Sequence, residues 1–342
     1  MNFKDKNKPP FVIAEMSGNH NQSLEKALEI VDAVYKSGAD ALKIQTYTPD
    51  TMTIDVRKDD FFIDDPNSLW HGSYLYDLYK QAYTPWEWHK PIFDKARSLG
   101  MFAFSTPFDI TAVDFLEDLN VPLYKISSFE NTDHVLLKKV AQTKKPIILS
   151  VGMATITEIS ESVEVLRGNG CSDLTILKCT SAYPADPSDS NLHSIPYLKN
   201  LFHCDVGISD HTMGIGTSIA AVALGATVIE KHFKLSNMND GVDSEFSLDE
   251  NEFKILVNES KKALMSLGEV RFGASSNEQS SKKFKRSLYI VKDIKEGEEF
   301  TLENLRPIRP GYGLPVKYLN VFLGKRALRD IKRGTALTWD II

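Results

Sequence analysis

The sequence predicts an α/β fold, a (β/α)8 TIM barrel followed by a small C-terminal domain. Short apolar runs alternate with amphipathic stretches up to about residue 265, a pattern typical of parallel strands joined by helices. No G-x-G-x-x-G motif follows the first apolar run, which disfavours the alternative of a doubly wound open sheet. The predicted strands cover residues 11–15, 41–45, 101–105, 123–126, 146–150, 174–179, 205–208 and 227–231.

Helical patterns fill the segments between the predicted strands, as in residues 23–37 and 84–99. Ser23 is a residue type that favours the start of a helix. Gly38 and Gly100 favour the end of one, because glycine adopts the left-handed conformation without strain. These signals support a helix between successive strands.

An insertion rich in aromatic residues, residues 50–83, separates the second predicted strand from the third. It contains Trp70, Tyr74 and Tyr76. A long loop on the active-site side of a barrel commonly shapes specificity. A packed surface hairpin is the alternative interpretation.

The polar residues 269–285 predict a linker between a barrel domain (residues 1–268) and a second domain (residues 286–342). Short alternating strands and glycine turns are predicted in the second domain. A domain of roughly 56 residues is close to the lower limit for a stable core. We therefore expect the second domain to be stabilised by contacts with the barrel or with a partner subunit.

Composition limits the class of protein. The chain has 342 residues, 42% hydrophobic and 25% charged, as in ordinary globular proteins. No apolar stretch approaches the roughly 18 residues that cross a bilayer, and residues 1–6 form no signal-peptide core. Cys171, Cys179 and Cys204 are too scattered for a disulfide framework or a zinc ribbon. A cytoplasmic protein with buried free thiols and no membrane partner is expected.

The net charge of −6 is unevenly distributed. Residues 271–342 carry 15 Lys and Arg against 8 Asp and Glu, a net charge of +7, which leaves −13 on residues 1–270. The basic segment lacks interleaved stacking aromatics, and the acidic remainder argues against nucleic acid as a partner. This charge distribution fits a basic lid over an anionic substrate or a solvated basic face docked on an acidic barrel.

Two histidines, His211 and His232, each follow an apolar run that reads as a buried strand. The carboxyl ends of barrel strands form the active-site face. Two imidazoles on neighbouring strand ends could share a divalent metal, or they could be hydrogen-bonded polar residues at the rim. His20 is open to three roles: metal ligand, hydrogen-bond donor, or part of a turn.

Lys43 and Lys125 are placed to face the barrel mouth beside Gln45 and Ser127. They could bind a phosphate or carboxylate, form a Schiff base, or make a salt bridge to Glu15 or Glu130. Anion binding is favoured, because several hydroxyl groups also lie at strand ends and complete a phosphate cradle. Those hydroxyls belong to Ser105, Thr106, Ser128 and Ser150.

The chain resembles the bacterial nonulosonic (sialic) acid synthase family over nearly its full length. The motifs stand in the family's order: Glu15, GNHN at 18–21, KIQT at 43–46, FSTPF at 104–108, YKISSFE at 124–130, GISDHT at 207–212 and EKHF at 230–233. Residues 286–288 (RSL) and 309–313 (RPGYG) resemble the family's antifreeze-like (SAF) domain. Within the family, SLW at 68–70 and AYTPWEWH at 82–89 resemble the pseudaminate branch.

The resemblance implies an activity: condensation of phosphoenolpyruvate with 2,4-diacetamido-2,4,6-trideoxy-L-altrose, with C–O cleavage and release of phosphate. N-acetylneuraminate or legionaminate synthase is the alternative within the family. A Schiff-base aldolase is more remote, and a non-catalytic sugar-binding regulator more remote still.

The resemblance also implies site residues. Glu15 would be a general base or an orienting carboxylate, and His211 and His232 would bind Mn2+ or Mg2+. The implied substrate-binding residues are Lys43, Gln45, Thr106, Lys125, Ser128, Ser150, Tyr183, Ser209, Asp243 and Arg309. Arg309 would reach the site from the other subunit of a domain-swapped homodimer.

One residue departs from the family pattern. Ser181 stands where sialic acid synthases have an asparagine, two residues before Tyr183. Serine offers one hydroxyl in place of an amide. A 6-deoxy sugar has less hydrogen-bonding surface, and Trp70, Tyr74 and Tyr76 could pack against its methyl group.

Overall fold

The structure, a computed structural model, describes residues 8–238 and 241–341. Within these residues, eight parallel strands close into a barrel in sequence order, and β1 pairs with both β2 and β8. The predicted (β/α)8 barrel is therefore confirmed. The strands are β1 (Phe11–Glu15), β2 (Ala41–Thr46), β3 (Phe102–Pro107), β4 (Tyr124–Ile126), β5 (Ile147–Ser150), β6 (Leu174–Cys179), β7 (Asp205–Asp210) and β8 (Val228–His232).

The strand ends that carry polar residues extend slightly further than predicted. β7 ends two residues later than expected, so that His211 directly follows it, and His232 is the last residue of β8. β2 and β3 continue to Thr46 and Pro107. Side chains alternate along a strand. Of two consecutive polar residues at a strand end, one therefore faces the barrel mouth and the other packs outward.

Helices cover the outside of the barrel. α1 begins after Ser23, whose hydroxyl accepts a hydrogen bond from the Lys26 amide at 3.3 Å, and it ends at Gly38, with φ of 83°. α4 begins at Trp86, later than predicted, because Pro85 disfavours helical geometry at the residue before it. The helices are α1 (Leu24–Ser37), α2 (Pro49–Met52), α3 (Leu75–Ala82), α4 (Trp86–Ser98), α5 (Ile110–Asp118), α6 (His134–Gln142), α7 (Ile156–Gly168), α8 (Ser194–Phe202), α9 (Gly216–Ala223) and α10 (Glu250–Leu267).

The core lies between the strands and the apolar faces of these helices. On α1, the buried residues Ala27, Ile30, Val31 and Val34 recur at helical spacing, which places them on one face of the helix. They belong to a continuous cluster that includes outward-facing strand residues such as Ile44. Burial of this kind fixes the strands, and with them the inward-facing side chains at their carboxyl ends.

The insertion at residues 50–83 contains α2, a 3-10 helix (Asp59–Phe61) and α3. A β-bridge joins Phe62 to Tyr74, and the amide of Ile63 donates to the Ser73 carbonyl at 2.9 Å. The hairpin interpretation is thus correct for these few residues, whereas the rest is helical. At its end, Gln22 donates to the carbonyl of Tyr83 at 2.6 Å, which ties the insertion to the loop after β1.

The chain divides into two compact units, one ending at Gly268 and the other beginning at Glu269. In the second unit, β9 (Ser287–Ile290) pairs antiparallel with β10 (Leu305–Ile308) around a small core that includes Phe300 and Phe322. A short helix α11 (Leu319–Phe322) follows. The predicted linker is not wholly irregular, since Gln279–Phe284 forms a 3-10 helix.

Three further features bear on the sequence predictions. Among the described residues, no helix is long and apolar enough to span a membrane. The cysteines are free; Cys171 and Cys179 are buried, and Cys204 is partly exposed rather than fully buried. The N-terminal residues 1–6 lie outside the described residues.

Candidate active site

The carboxyl ends of β1, β2, β4 and β8 bring together two lysines and two glutamates. Lys43 Nζ lies 2.6 Å from Glu15 Oε2 and 3.6 Å from Glu230 Oε1. Lys125 Nζ lies 3.4 Å from the same Glu230 oxygen. All four side chains are at least 95% buried. The salt-bridge interpretation of Lys43 is therefore correct for Glu15, whereas Lys125 pairs with Glu230 and not with Glu130.

Burial and the neighbouring charges set the protonation of this cluster. Burial raises the pKa of Glu15 against the opposing effect of Lys43. The carboxylates of Glu15 and Glu230 outweigh the cost of burial at Lys43 and raise its pKa. Burial lowers the pKa of Lys125 despite the attraction of Glu230. Lys43 is thus held as a cation, as anion binding requires.

Hydroxyl groups line the mouth next to these lysines. Lys43 Nζ donates to Thr106 Oγ1 at 3.2 Å, and Ser128 Oγ accepts from the Gly152 amide at 3.0 Å. Ser150 is buried and its hydroxyl has no hydrogen-bond partner among the described residues. A Cβ on Gly152 would lie 2.3 Å from Ser181 Oγ and 2.8 Å from Ser128 Oγ. The glycine therefore lets a peptide group approach this hydroxyl cluster, as a phosphate cradle needs.

Ser105 does not belong to this cluster. Its hydroxyl contacts Thr46 Oγ1 at 2.6 Å and the Ile44 carbonyl at 2.9 Å. Thr46 in turn contacts His89 Nε2 of α4 at 2.7 Å. Strand alternation explains the difference, because Thr106 and Ser105 face opposite sides of β3. The expectation that Ser105 helps to bind an anion is wrong.

The two histidines meet at the same mouth, with ring centroids 5.4 Å apart. His211 Nδ1 lies 3.1 Å from the Thr180 carbonyl, so this nitrogen donates its proton to the carbonyl and Nε2 is the nitrogen left for a metal. His232 Nδ1 is buried without a hydrogen-bond partner. Burial, with the positive charge of Lys43, holds the pKa of His232 well below its usual range.

These imidazoles fit a divalent metal in their donor chemistry, because imidazole nitrogens are common ligands of such ions. His232 offers a buried ring nitrogen that has no hydrogen-bond partner among the described residues. Within residues 8–238 and 241–341, no group of three or more His, Cys, Asp or Glu side chains is placed to hold an ion. Oxygen atoms of water or substrate would have to supply the remaining ligands.

His20 does not join the metal pair. Its Nε2 contacts Thr84 Oγ1 at 3.2 Å, and its Nδ1 accepts from the Gln22 amide at 3.2 Å. The ring also lies edge-on to Trp88. Both nitrogens are thus engaged in the turn after β1. Because Nδ1 accepts, Nε2 carries the proton and donates to Thr84. Of the three roles left open, the structure therefore supports those of hydrogen-bond donor and turn residue.

A polar network faces the lysine cluster from the side of β1 and β8. Gln45 Nε2 donates to Glu15 Oε1 and to Ser17 Oγ, both at 3.0 Å. The Ser17 hydroxyl donates to Asp243 Oδ2, and the same carboxylate oxygen lies 3.7 Å from His232 Nδ1. Burial raises the pKa of Asp243, and the bond from Ser17 opposes that rise.

Aromatic rings form a wall beside this network. Tyr183 lies 4.5 Å from His211 and 5.3 Å from Phe246 between ring centroids. Trp70 of the insertion lies 5.7 Å from Tyr183, and its indole N–H donates to the Val242 carbonyl at 3.0 Å. The aromatic insertion therefore reaches the barrel mouth, as its interpretation as a specificity loop requires. Tyr74 and Tyr76 instead contact Phe62, Arg57 and Asp50 within the insertion.

The other predicted residues are placed as follows. Ser209 donates to Glu230 Oε1 at 3.2 Å, so it supports the charged cluster. Arg309 follows β10 in the second unit and is exposed. The barrel thus brings together twelve of the thirteen predicted site residues in one mouth, and Arg309 belongs to the other unit.

Sequence reasoning assigned no role to three residues of this site. Glu230 links both lysines, and strand alternation with His232 could have placed it on the same face. Ser17 and Cys179 had no such signal. Cys179 Sγ lies 3.8 Å from His211 Nδ1 and 3.7 Å from Ser181 Oγ, contacts that only the closed barrel reveals.

Comparisons with known proteins identify relatives over both parts of the chain. The NeuB family model matches residues 30–272, and the SAF domain model matches residues 285–342. The pseudaminic acid synthase of Campylobacter jejuni is 46% identical, with 96% of each chain covered. The N,N'-diacetyllegionaminic acid synthase of that species is 37% identical, with 95% of this chain and 98% of that one covered.

A solved structure is similar to this chain in its fold. The crystal structure of N-acetylneuraminic acid (sialic acid) synthetase from Leptospira borgpetersenii, in complex with citrate, has a TM-score of 0.70 and 29% identity. The match covers 80% of this chain and 90% of that one. With its barrel, its SAF domain and these relatives, the chain belongs to the NeuB family.

Proposed function

We propose that this protein is a pseudaminic acid synthase, which condenses phosphoenolpyruvate with 2,4-diacetamido-2,4,6-trideoxy-L-altrose. The observation that carries the proposal is the barrel mouth itself. Buried lysines and hydroxyls lie on one side, and a histidine pair and an aromatic wall lie on the other. Higher identity to a pseudaminic acid synthase than to a legionaminic acid synthase supports this choice of sugar.

The lysine side fits phosphoenolpyruvate. Lys43 and Lys125, with Thr106, Ser128 and Ser150, would bind its phosphate and carboxylate. Binding at Lys43 would compete with Glu15 for the ammonium group, since the two lie 2.6 Å apart. The Glu15 carboxylate would then be available to the reacting water or the sugar. Fixed positive charge where phosphate charge develops lowers the barrier for its departure.

The opposite side fits the sugar. Gln45, Asp243 and Tyr183 would contact its hydroxyl and acetamido groups. His211 and His232 would hold Mn2+ or Mg2+, which supplies Lewis-acid polarisation of the sugar aldehyde when bound. Glu15 contacts Lys43 on the phosphoenolpyruvate side and Gln45 on the sugar side. It acts as the general base or as an orienting carboxylate.

The reaction balances as an addition followed by elimination. C3 of phosphoenolpyruvate bonds to the aldehyde carbon, and the aldehyde oxygen becomes a hydroxyl group. Water adds to C2 and supplies the C2 ketone oxygen, and its two protons go to the new hydroxyl and to the phosphate. The bond from C2 to the phosphate ester oxygen breaks, and phosphate leaves with that bridging oxygen. The product is a nine-carbon α-keto acid. We propose cytoplasmic synthesis, because free thiols suit a reducing compartment, and use of the product in cell-surface or flagellar glycans.

The test is phosphate release from phosphoenolpyruvate with Mn2+, comparing the altrose-derived sugar with N-acetylmannosamine. Release with the first sugar alone is expected. Bridging-18O phosphoenolpyruvate should give labelled phosphate, because the C–O bond breaks. Release with N-acetylmannosamine alone would indicate a sialic acid synthase. Absence of phosphate release with either sugar would contradict the proposed reaction.

One observation favours a second candidate, a Schiff-base aldolase: burial lowers the pKa of Lys125, and a neutral lysine is the nucleophile in such enzymes. Its contact with Glu230 at 3.4 Å opposes that role. Borohydride treatment with substrate present should leave the synthase active, whereas an aldolase would be trapped and inactivated.

We further propose a domain-swapped homodimer. The second unit is basic and contains the exposed Arg309. A guanidinium from the partner subunit would bind the substrate and close the mouth. The charge of −13 on residues 1–270 against +7 on residues 271–342 favours such docking between copies.

A further inference from the structure

Ser17 lies on the loop that follows β1, and its side chain is buried. Its hydroxyl joins residues from distant parts of the chain, Gln45 on β2 and Asp243 in the loop after β8. We infer that Ser17 is a positioning residue that sets Gln45 and Asp243 for sugar binding. This inference rests on the proposed function and deepens it, because it assigns a residue to sugar recognition.

The acceptor oxygens at the two ends of this network determine the direction of its hydrogen bonds. Glu15 Oε1 and Asp243 Oδ2 are the acceptors at the two ends. Gln45 must therefore turn its NH2 group toward Glu15, and its second N–H then points at Ser17 Oγ at 3.0 Å. The Ser17 proton is left free to donate to Asp243. The chain from Glu15 to Asp243 thus has one consistent arrangement, and the Ser17 hydroxyl is its central link.

The backbone at Ser17 supports a role for the side chain. Its φ is 46°, in the left-handed region that glycine occupies without strain and serine does not. A strained residue persists where its surroundings hold it in place, commonly at functional sites. Glycine would fit this backbone better but would remove the hydroxyl. The serine therefore provides a hydrogen bond at the expense of backbone stability.

The position of Ser17 separates it from the phosphate cradle. The next residue, Gly18, lies so close to the loop after β8 that a Cβ would come within 2.4 Å of Val242 Cγ2 and 3.1 Å of Ala82 Cα. Val242 also accepts the indole N–H of Trp70. Ser17 thus lies where the loop after β1, the insertion and the loop after β8 meet, the side of the mouth that fits the sugar.

The test is steady-state kinetics of S17A and S17G with each substrate varied in turn. Loss of a hydrogen bond to a charged group should raise the KM for the altrose-derived sugar about tenfold in both variants. The KM for phosphoenolpyruvate should stay within about twofold of the wild-type value. S17G should also melt no lower than S17A, because glycine relieves the left-handed strain.

N120G is the matched control, since Asn120 also has a left-handed backbone, with φ of 52°, and follows α5 away from the site. It should keep both KM values unchanged. An unchanged sugar KM in S17A and S17G, or an equal rise for phosphoenolpyruvate, would overturn the inference. Absence of phosphate release by the wild-type protein would instead refute the proposed function, and this inference with it.

Discussion

Lys231 is a lysine with no solvent exposure, directly between Glu230 and His232. It points out of the barrel, and its Nζ lies 3.1 Å from Asp210 Oδ2 and 2.7 Å from the Thr212 carbonyl. Asp210 also accepts from the Thr212 amide at 2.9 Å and from Ser218 Oγ at 2.6 Å. This buried network fixes the turn that carries His211.

The first prediction concerns this ion pair. K231M or D210N alone should each lower the free energy of unfolding by about 3 kcal/mol, because each leaves a buried charge without its counter-charge. The double variant should lose clearly less than the sum of the two. Chemical denaturation of the four proteins measures this cycle. Additive losses would mean that the two side chains do not stabilise each other.

The second prediction concerns the pH dependence of stability. Burial lowers the pKa of His89 to about 4, whereas an unfolded histidine titrates near about 6.5. The depressed pKa gives stability that is fully present above pH ~6.5 and is lost as the pH falls toward 4, up to about 3 kcal/mol. H89Q should therefore flatten the fall in unfolding free energy between pH 7.5 and 4.5. An equal slope in both proteins would contradict the role of His89.

At the scale of elements, the closure of β7 on β8 depends on a glycine. A Cβ on Gly207 would lie 2.3 Å from the Val228 carbonyl oxygen and 2.6 Å from Leu177 Cδ2. The carbonyl belongs to the backbone of β8 and cannot turn away as a flexible side chain could. The close approach of these strands brings His211 and His232 within 5.4 Å of each other.

The third prediction follows from that contact. G207A should lower the free energy of unfolding by about 3 kcal/mol, because the added methyl group overpacks the barrel. G216A, at the first residue of α9 where a Cβ meets nothing within 4 Å, is the control and should be neutral or slightly stabilising. Thermal or chemical denaturation checks both. A stable G207A would show that the strands can separate freely.

The fourth prediction concerns the insertion. Trp70 contacts Tyr183 with its ring and Val242 with its indole N–H. W70A should raise the sugar KM about tenfold, with the KM for phosphoenolpyruvate unchanged. W70F keeps a ring but no N–H, so a smaller effect is expected. An unchanged sugar KM in W70A would remove the assignment of the insertion to sugar choice.

At the scale of the whole molecule, the sequence was sufficient to predict the barrel and most residues at its mouth, although it assigned no role to Glu230, Ser17 or Cys179. Apolar runs with polar ends locate strands within about two residues, because parallel strands are buried on both faces. The sequence could not give the partners of those residues. Lys125 pairs with Glu230 and not Glu130, and Ser105 faces outward, since such pairings depend on register and closure.

The last prediction tests the assembly of the whole molecule. In a domain-swapped dimer, the barrel of R309A would receive the intact Arg309 of an H232A partner. A mixture of the two inactive variants, allowed to exchange subunits, should therefore regain about a quarter of wild-type phosphate release, because about half the dimers form one complete site of two. Each variant alone should stay inactive. If Arg309 serves the barrel of its own chain, no mixed dimer contains a complete site, and the mixture should stay as inactive as its components.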